Sequence, residues 1–161
     1  MGLILIAPHP TLKKISKPVT DFEAVRLTVE TMETEMRKAG GVGLSAIQIG
    51  LPLRVFVSIA SGGLVAFINP ELTLGGATGL VEEGCLSTPG IYSIVRRFCS
   101  VGIKYTDIDG NPQSKTLTGL VAQVAQHENE HLDGKLYTQH LTSAERGRIL
   151  GELLKYKKSH K

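Results

Sequence analysis

The chain has 161 residues, 42 % of them hydrophobic and 20 % charged, with a net charge of +3 at neutral pH. That length suits one domain around a single core, here residues 1–161, and that balance excludes disordered or fibrous character for the chain as a whole. No run approaches the ~20 apolar residues of a membrane-spanning helix, so the expectation is a cytoplasmic protein with no membrane contact.

In chain order, the first apolar run, Leu3 to Ala7, is too short for a signal-peptide core and meets Pro8 at once. "VTDFEAVRLTVETMETEMRKAGG" then predicts an amphipathic helix. Thr20 and Glu23 stand at capping-box spacing, Val25, Val29, Met32 and Met36 repeat on one face, and Gly40-Gly41 stops it. The next stretch, "GGVGLSAIQIG", admits three readings. Gly41 to Ala46 fit a loose dinucleotide-binding pattern, but the segment follows a helix where that motif must follow a strand. It also reads as a helix cap with a tight turn, or as glycines that let the backbone approach a ligand while Gln48 presents its amide.

From 51 to about 117 the character changes to short β-branched or alternating runs separated by Gly, Pro and Asn. "DIDGNPQ" predicts a hairpin turn before the strand "QSKTLT". Strands grouped between helices, not alternating with them, argue for an α+β fold with mixed or antiparallel sheets. Within this region "EEGCLSTPG" holds Cys85 between Gly84 and Pro89, where neither a helix nor a central strand is expected. Cys85 reads either as a thiolate ligand or as a small buried hydrophobe; Cys99, in a strand-like run, reads as the latter.

"TGLVAQVAQHENEHLDG" returns to helical spacing and ends at Gly134, a left-handed cap. Leu120, Val124, His127 and His131 fall within an arc of about 60° on that helix, so the histidines continue an apolar stripe and point inward one turn apart. Glu128 sits at the edge of the same face. Two facing histidines with a glutamate between them fit an H-E-x-x-H metal site, against a pair of core histidines satisfied by hydrogen bonds. Two ligands leave such a site incomplete, and the candidate third is Cys85. After 131, the alternatives that a metalloprotease arrangement would use are His140, Glu145, Glu152 and His160. A last helix is predicted from a Thr142–Glu145 capping box, with Ile149, Leu150, Leu153 and Leu154 on one face and the basic end "KYKKSHK".

Taken together and in this order, "GVGLSAIQ", "EEGCLS" and "HENEH" resemble the three motifs of peptide deformylases. "LIAPHPTLKKISKPVTDFE", "FINPEL" and "DIDGNP" extend the resemblance over roughly residues 3–150. The resemblance implies an α+β fold with the H-E-x-x-H helix packed among antiparallel sheets. It also implies hydrolysis of the N-formyl group of the initiator methionine on nascent polypeptides, with release of formate. Carried over by position, the metal ligands are Cys85, His127 and His131, the acid/base is Glu128, and the formyl-oxygen donors are the Gln48 amide and the Leu86 N–H. Gly43 falls where the family's loop meets substrate, and Val42, Val81, Leu120 and Val124 are the expected walls of a methionine pocket.

The implied cofactor is one divalent ion, Fe(II) by resemblance, with Zn(II), Ni(II) or Co(II) suiting the same donors. Contact of the basic terminal helix with the ribosome is a further expectation by analogy. The chain departs from the family pattern in placing Glu130 where Asp is common, Ser45 for Ala, Ile47 for Pro and Phe98 for Pro. The alternatives to deformylase activity are an H-E-x-x-H metalloprotease and a deformylase-like protein with altered substrate or no chemistry.

Overall fold

Asp21, not Thr20, starts the first helix in this computed structural model, which describes residues 2–160. Its carboxylate accepts the N–H of Ala24, one of the donors a helix start leaves unpaired, and helix α1 runs Phe22–Lys38. The predicted cap is therefore one residue early. The buried face is the predicted one, Val25, Val29, Met32 and Met36, with Glu35 added. Glu35 lies inside because it accepts the Leu3 N–H and pairs with Lys38.

The strands are β1 Gly43–Ser45, β2 Val55–Ser58, β3 Val65–Leu74, β4 Thr78–Cys85, β5 Thr88–Phe98, β6 Ser100–Thr106 and β7 Pro112–Thr118. β1, β2, β3, β6 and β7 make a five-stranded antiparallel sheet in that order, and β4 with β5 forms a separate antiparallel ribbon. Because successive side chains of a strand face opposite sides, β2 and β3 divide their residues between two cores. Val55, Val57, Ala66 and Ile68 pack with the α1 face, whereas Phe56 and Phe67 pack with Ala122, Ala125 and Leu132 on the other side. Those last three belong to helix α2, Gly119–Leu132, which follows β7 directly and ends at the left-handed Gly134 as predicted.

The ribbon covers a third cluster, in which Ile91 and Val95 meet Tyr137, Ile149 and Leu153. Helix α3, Ser143–Ser159, opens with the predicted Thr142–Glu145 capping box. Its apolar stripe is narrower than predicted: Ile149 and Leu153 are buried, but Leu150 and Leu154 are 45 % and 47 % exposed. The α+β architecture is thus a sheet with α1 on one face and α2 on the other. No helix among the described residues is long and apolar enough to cross a membrane.

Candidate metal centre

The stripe predicted on α2 divides by depth. Leu120 is half exposed at the start of the helix, Val124 and His127 are buried, and His131 is fully enclosed. Cys85, the last residue of β4, brings its Sγ to 3.3 Å from His131 Nε2, which is itself 3.3 Å from His127 Nε2. The ligand atoms of Cys85, His127 and His131 all lie within 4.8 Å of one another. A tetrahedral ion with Zn–N bonds near 2.0–2.1 Å would hold two imidazole nitrogens about 3.3–3.4 Å apart, so the spacing fits one first-row divalent cation. None of the candidates after 131 joins this cluster. His140 pairs with Glu130, Glu145 caps α3 and Glu152 pairs with Arg148, which leaves a metalloprotease ligand set without its third member.

One residue that sequence reasoning passed over sets the orientation of His127. Glu83 Oε2 lies 2.9 Å from His127 Nδ1, which places the ring proton there and leaves Nε2 facing the other two ligands. Burial pushes the Glu83 carboxyl up, but hydrogen bonds and charge from Arg97 and His127 outweigh it and hold the group at about 2. Arg97 grips Glu83 through Nε and Nη2 at 2.7 and 2.9 Å, and is held charged by it. His131 is pushed well below the usual histidine range by burial, reinforced by the neighbouring His127. His127 moves the other way: burial opposes its charge, but hydrogen bonds with Cys85 and Glu83, and charge from Cys85 and Glu128, outweigh that. Both rings must be neutral to bind a cation, and Glu83 still accepts the Nδ1–H once Nε2 has lost its proton.

Glu128 is buried beside this cluster, with its carboxylate 2.7 Å from Ser45 Oγ. Burial raises its pKa, and the charge of His127 and the Ser45 hydroxyl partly restrain the rise. A buried carboxylate raised in this way is a stronger base than an exposed one, which suits it to accept a proton. Gly43 faces it from β1: a Cβ there would stand 2.7 Å from both Glu128 Oε1 and Val124 Cγ1. Here the glycine serves close packing against a side chain.

Gln48 belongs to a short 3₁₀ turn, Ala46–Ile49, and is fully buried. Its Oε1 accepts the Ser45 N–H at 2.8 Å, which turns Nε2 toward Ser87 Oγ at 3.2 Å and Cys85 Sγ at 3.5 Å. Of the three readings of this segment, the helix cap with a turn is the observed one: Gly40, at φ 69°, follows α1 and the segment then enters β1, where a dinucleotide site would have a strand, a turn and a helix.

A cavity of about 1160 Å³ opens onto the centre. Val42, Gly43, Gln48, Cys85, Leu86, Leu120, Val124, His127 and Glu128 all line it. Val81 does not. It lies two residues from Glu83 on β4 and packs with the cluster of Ile91 and Val95 under the ribbon. Its nearness to Cys85 in sequence does not bring it to the cavity.

Chemically the arrangement offers a three-donor cation site, a buried carboxylate and an amide donor at one end of an apolar cavity. Comparison with known proteins gives the same picture. The family model described as polypeptide deformylase matches residues 1–147. A peptide deformylase from Mesorhizobium japonicum is 40 % identical over 162 residues, covering 96 % of this chain and 92 % of the relative. The crystal structure of a peptide deformylase from Legionella pneumophila superposes with a TM-score of 0.93 at 38 % identity, over 98 % of this chain and 95 % of that one. That of the peptide deformylase from Thermus thermophilus gives 0.90 at 35 % identity over the whole of both chains.

Proposed function

The chain belongs to the peptide deformylase family, whose members are metal-dependent hydrolases, and on that premise we propose that it removes the N-formyl group from the initiator methionine of nascent polypeptides. The observation that carries this reading is the Cys85, His127 and His131 cluster, reached from the cavity through Cys85 and His127, with Glu128 on the same lining.

A divalent cation on these ligands would supply Lewis acidity and lower the pKa of a bound water. Fe(II) is the ion we propose, with Zn(II), Ni(II) and Co(II) compatible with the same donors. Glu128 accepts a proton as water attacks the formyl carbon, and returns it to the amine nitrogen as the C–N bond breaks, giving formate and a free N-terminus. The Gln48 amide and the Leu86 N–H donate to the oxygen on which charge develops; a donor of this kind is typically worth about 2.7–4 kcal/mol of barrier. The methionine side chain occupies the apolar wall of Val42, Leu120 and Val124, and the Gly43 backbone, which lines the cavity, meets that of the substrate. We propose a cytoplasmic protein that acts on nascent chains. The exposed Lys155 and Lys158 near the end of α3 support contact with a polyanionic ribosomal surface. Ribosome binding unchanged by Lys155→Glu with Lys158→Glu would count against that contact.

The test of the reaction is formate release from a formyl-Met-Ala-Ser peptide by anaerobically Fe(II)-loaded protein. Glu128→Ala should keep one equivalent of metal and lose turnover, whereas Cys85→Ser should lose both. Turnover retained in Glu128→Ala would overturn the assignment.

A further inference from the structure

Glu130 stands between the two outward ends of a buried ion network. Its Oε1 and Oε2 accept from Arg97 Nη1 and Nη2 at 2.7 and 3.1 Å, while the same guanidinium holds Glu83, and Glu83 holds His127. Glu83 and Arg97 are 3 % and 4 % exposed at their side chains, Glu130 is 21 % and His140 is 40 %. On the solvent side His140 Nε2 lies 2.7 Å from Glu130 Oε1. Its 3.3 Å separation from Arg97 Nη1 is then two donors converging on one carboxylate oxygen, so His140 carries its proton on Nε2 and donates it to Glu130.

We propose that His140 is a positioning residue for the metal centre, anchoring Glu130 so that Arg97 and Glu83 keep the His127 ring aimed at the other two ligands. The claim deepens the deformylase reading and rests on its metal site. A second observation supports it. His140 closes the 3₁₀ turn Tyr137–His140, in which residues three apart eclipse, so Tyr137 and His140 project from the same side. Tyr137 stacks on His127 with ring centroids 5.9 Å apart and an interplanar angle of 26°, and its hydroxyl donates to the Ile91 carbonyl in the ribbon. One turn therefore supports the same ligand twice: Tyr137 through its ring face, and His140 through three charged side chains. Glutamate at 130 is long enough to meet Arg97 and His140 together, which a shorter acid on this helix would not do.

The test reads metal retention independently of catalysis. Co(II)-loaded protein is mixed with excess chelator, and release is followed by loss of the thiolate-to-cobalt absorption. Groups touching a ligand directly, as Glu83 does, typically change metal affinity 10- to 100-fold, so His140→Ala, three side chains farther out, should speed release about three- to tenfold. His140→Gln, whose amide N–H can still donate to Glu130, should restore most of the difference. In a Glu130→Asp background His140→Ala should add nothing, because the shorter carboxylate no longer meets residue 140. Release from His140→Ala at the parent rate would overturn the proposal, and so would an equal acceleration in the aspartate background. Absence of formate release from the metal-loaded parent would overturn the functional reading while leaving these release rates to decide the role of His140.

Discussion

Replacing Gly43 with alanine isolates the packing requirement around Glu128, the proposed general base. Gly43 is not among the glycines with positive φ, so an alanine backbone is tolerated and the effect comes from the added methyl. That methyl would lie 2.7 Å from Glu128 Oε1 and from Val124 Cγ1, and 3.1 Å from Glu128 Cγ, where ordinary contact begins near 3.4 Å. About 0.7 Å of separation must appear between β1 and α2. Neither side chain yields easily: valine in a helix has one strongly preferred rotamer, and Glu128 is tied to Ser45. Overpacking of this size costs about 1–3 kcal/mol, seen as a Tm lower by several degrees. Misplacement of a reacting group by 1 Å costs on the order of 100-fold, so kcat should fall roughly 10- to 100-fold. Metal content should stay at one equivalent, because Cys85, His127 and His131 are not the atoms displaced. The assay is steady-state formate release beside metal analysis of the same sample. A Gly43→Ala protein with kcat within threefold of the parent would refute the reasoning.

Glu83 ties stability to pH. Its folded pKa of about 2 lies below the ordinary 4.5, so the stability it contributes is complete above pH 4.5 and is lost as the pH falls toward 2, a total of roughly 3 kcal/mol. Urea unfolding with chelator present should show parent and Glu83→Gln differing in slope across this window, and parallel curves would show that Glu83 is not the group responsible. At the cavity wall, Val124→Trp should raise KM for formyl-Met peptides with a smaller effect on kcat, since Val124 lines the cavity beside Gly43. Unchanged kinetics would remove Val124 from the methionine pocket.

The helix bearing the histidines was legible because ligands and core residues obey one period. Leu120, Val124, His127 and His131 share a face, and the same spacing that buries Val124 buries both rings. Glu83 was not legible by that route. It stands next to Glu82 in β4, as Arg97 stands next to Arg96 in β5, and in each pair one member is exposed and the other buried. Which member turns inward follows from the register of the ribbon, in which Glu83 faces Ser93 and Glu82 faces Ile94. Two like-charged pairs on neighbouring strands were nevertheless a signal, because an ion buried from one strand requires its counter-ion from the other. The same alternation explains Val81, which shares the inward side of Glu83 and packs with the ribbon core. A register shift between Gly84 and Cys85 then separates the ligand from that pattern.

Chemical similarity to the family pattern was a poor guide to which departures reach the site. Serine for alanine at 45 is the mildest change on paper, yet its hydroxyl meets the Glu128 carboxylate at 2.7 Å and the Glu128 carbonyl at 2.8 Å. It has one proton to give, so its two contacts compete, and the Glu128 carboxylate is held by a bond that alanine could not make. Phenylalanine for proline at 98 looks larger but works through the backbone. The Phe98 N–H donates to Gln126 Oε1 and its carbonyl accepts from Gln126 Nε2, both at 2.9 Å, tying β5 to α2 one residue from His127. Proline would have removed the first of those bonds. Glutamate for aspartate at 130 stays clear of the three ligand atoms and spends its extra reach on Arg97 and His140. What decides the consequence in each case is the group that the changed atom touches, and all three contacts converge on α2, the helix that holds His127, His131 and the proposed acid/base Glu128 in register.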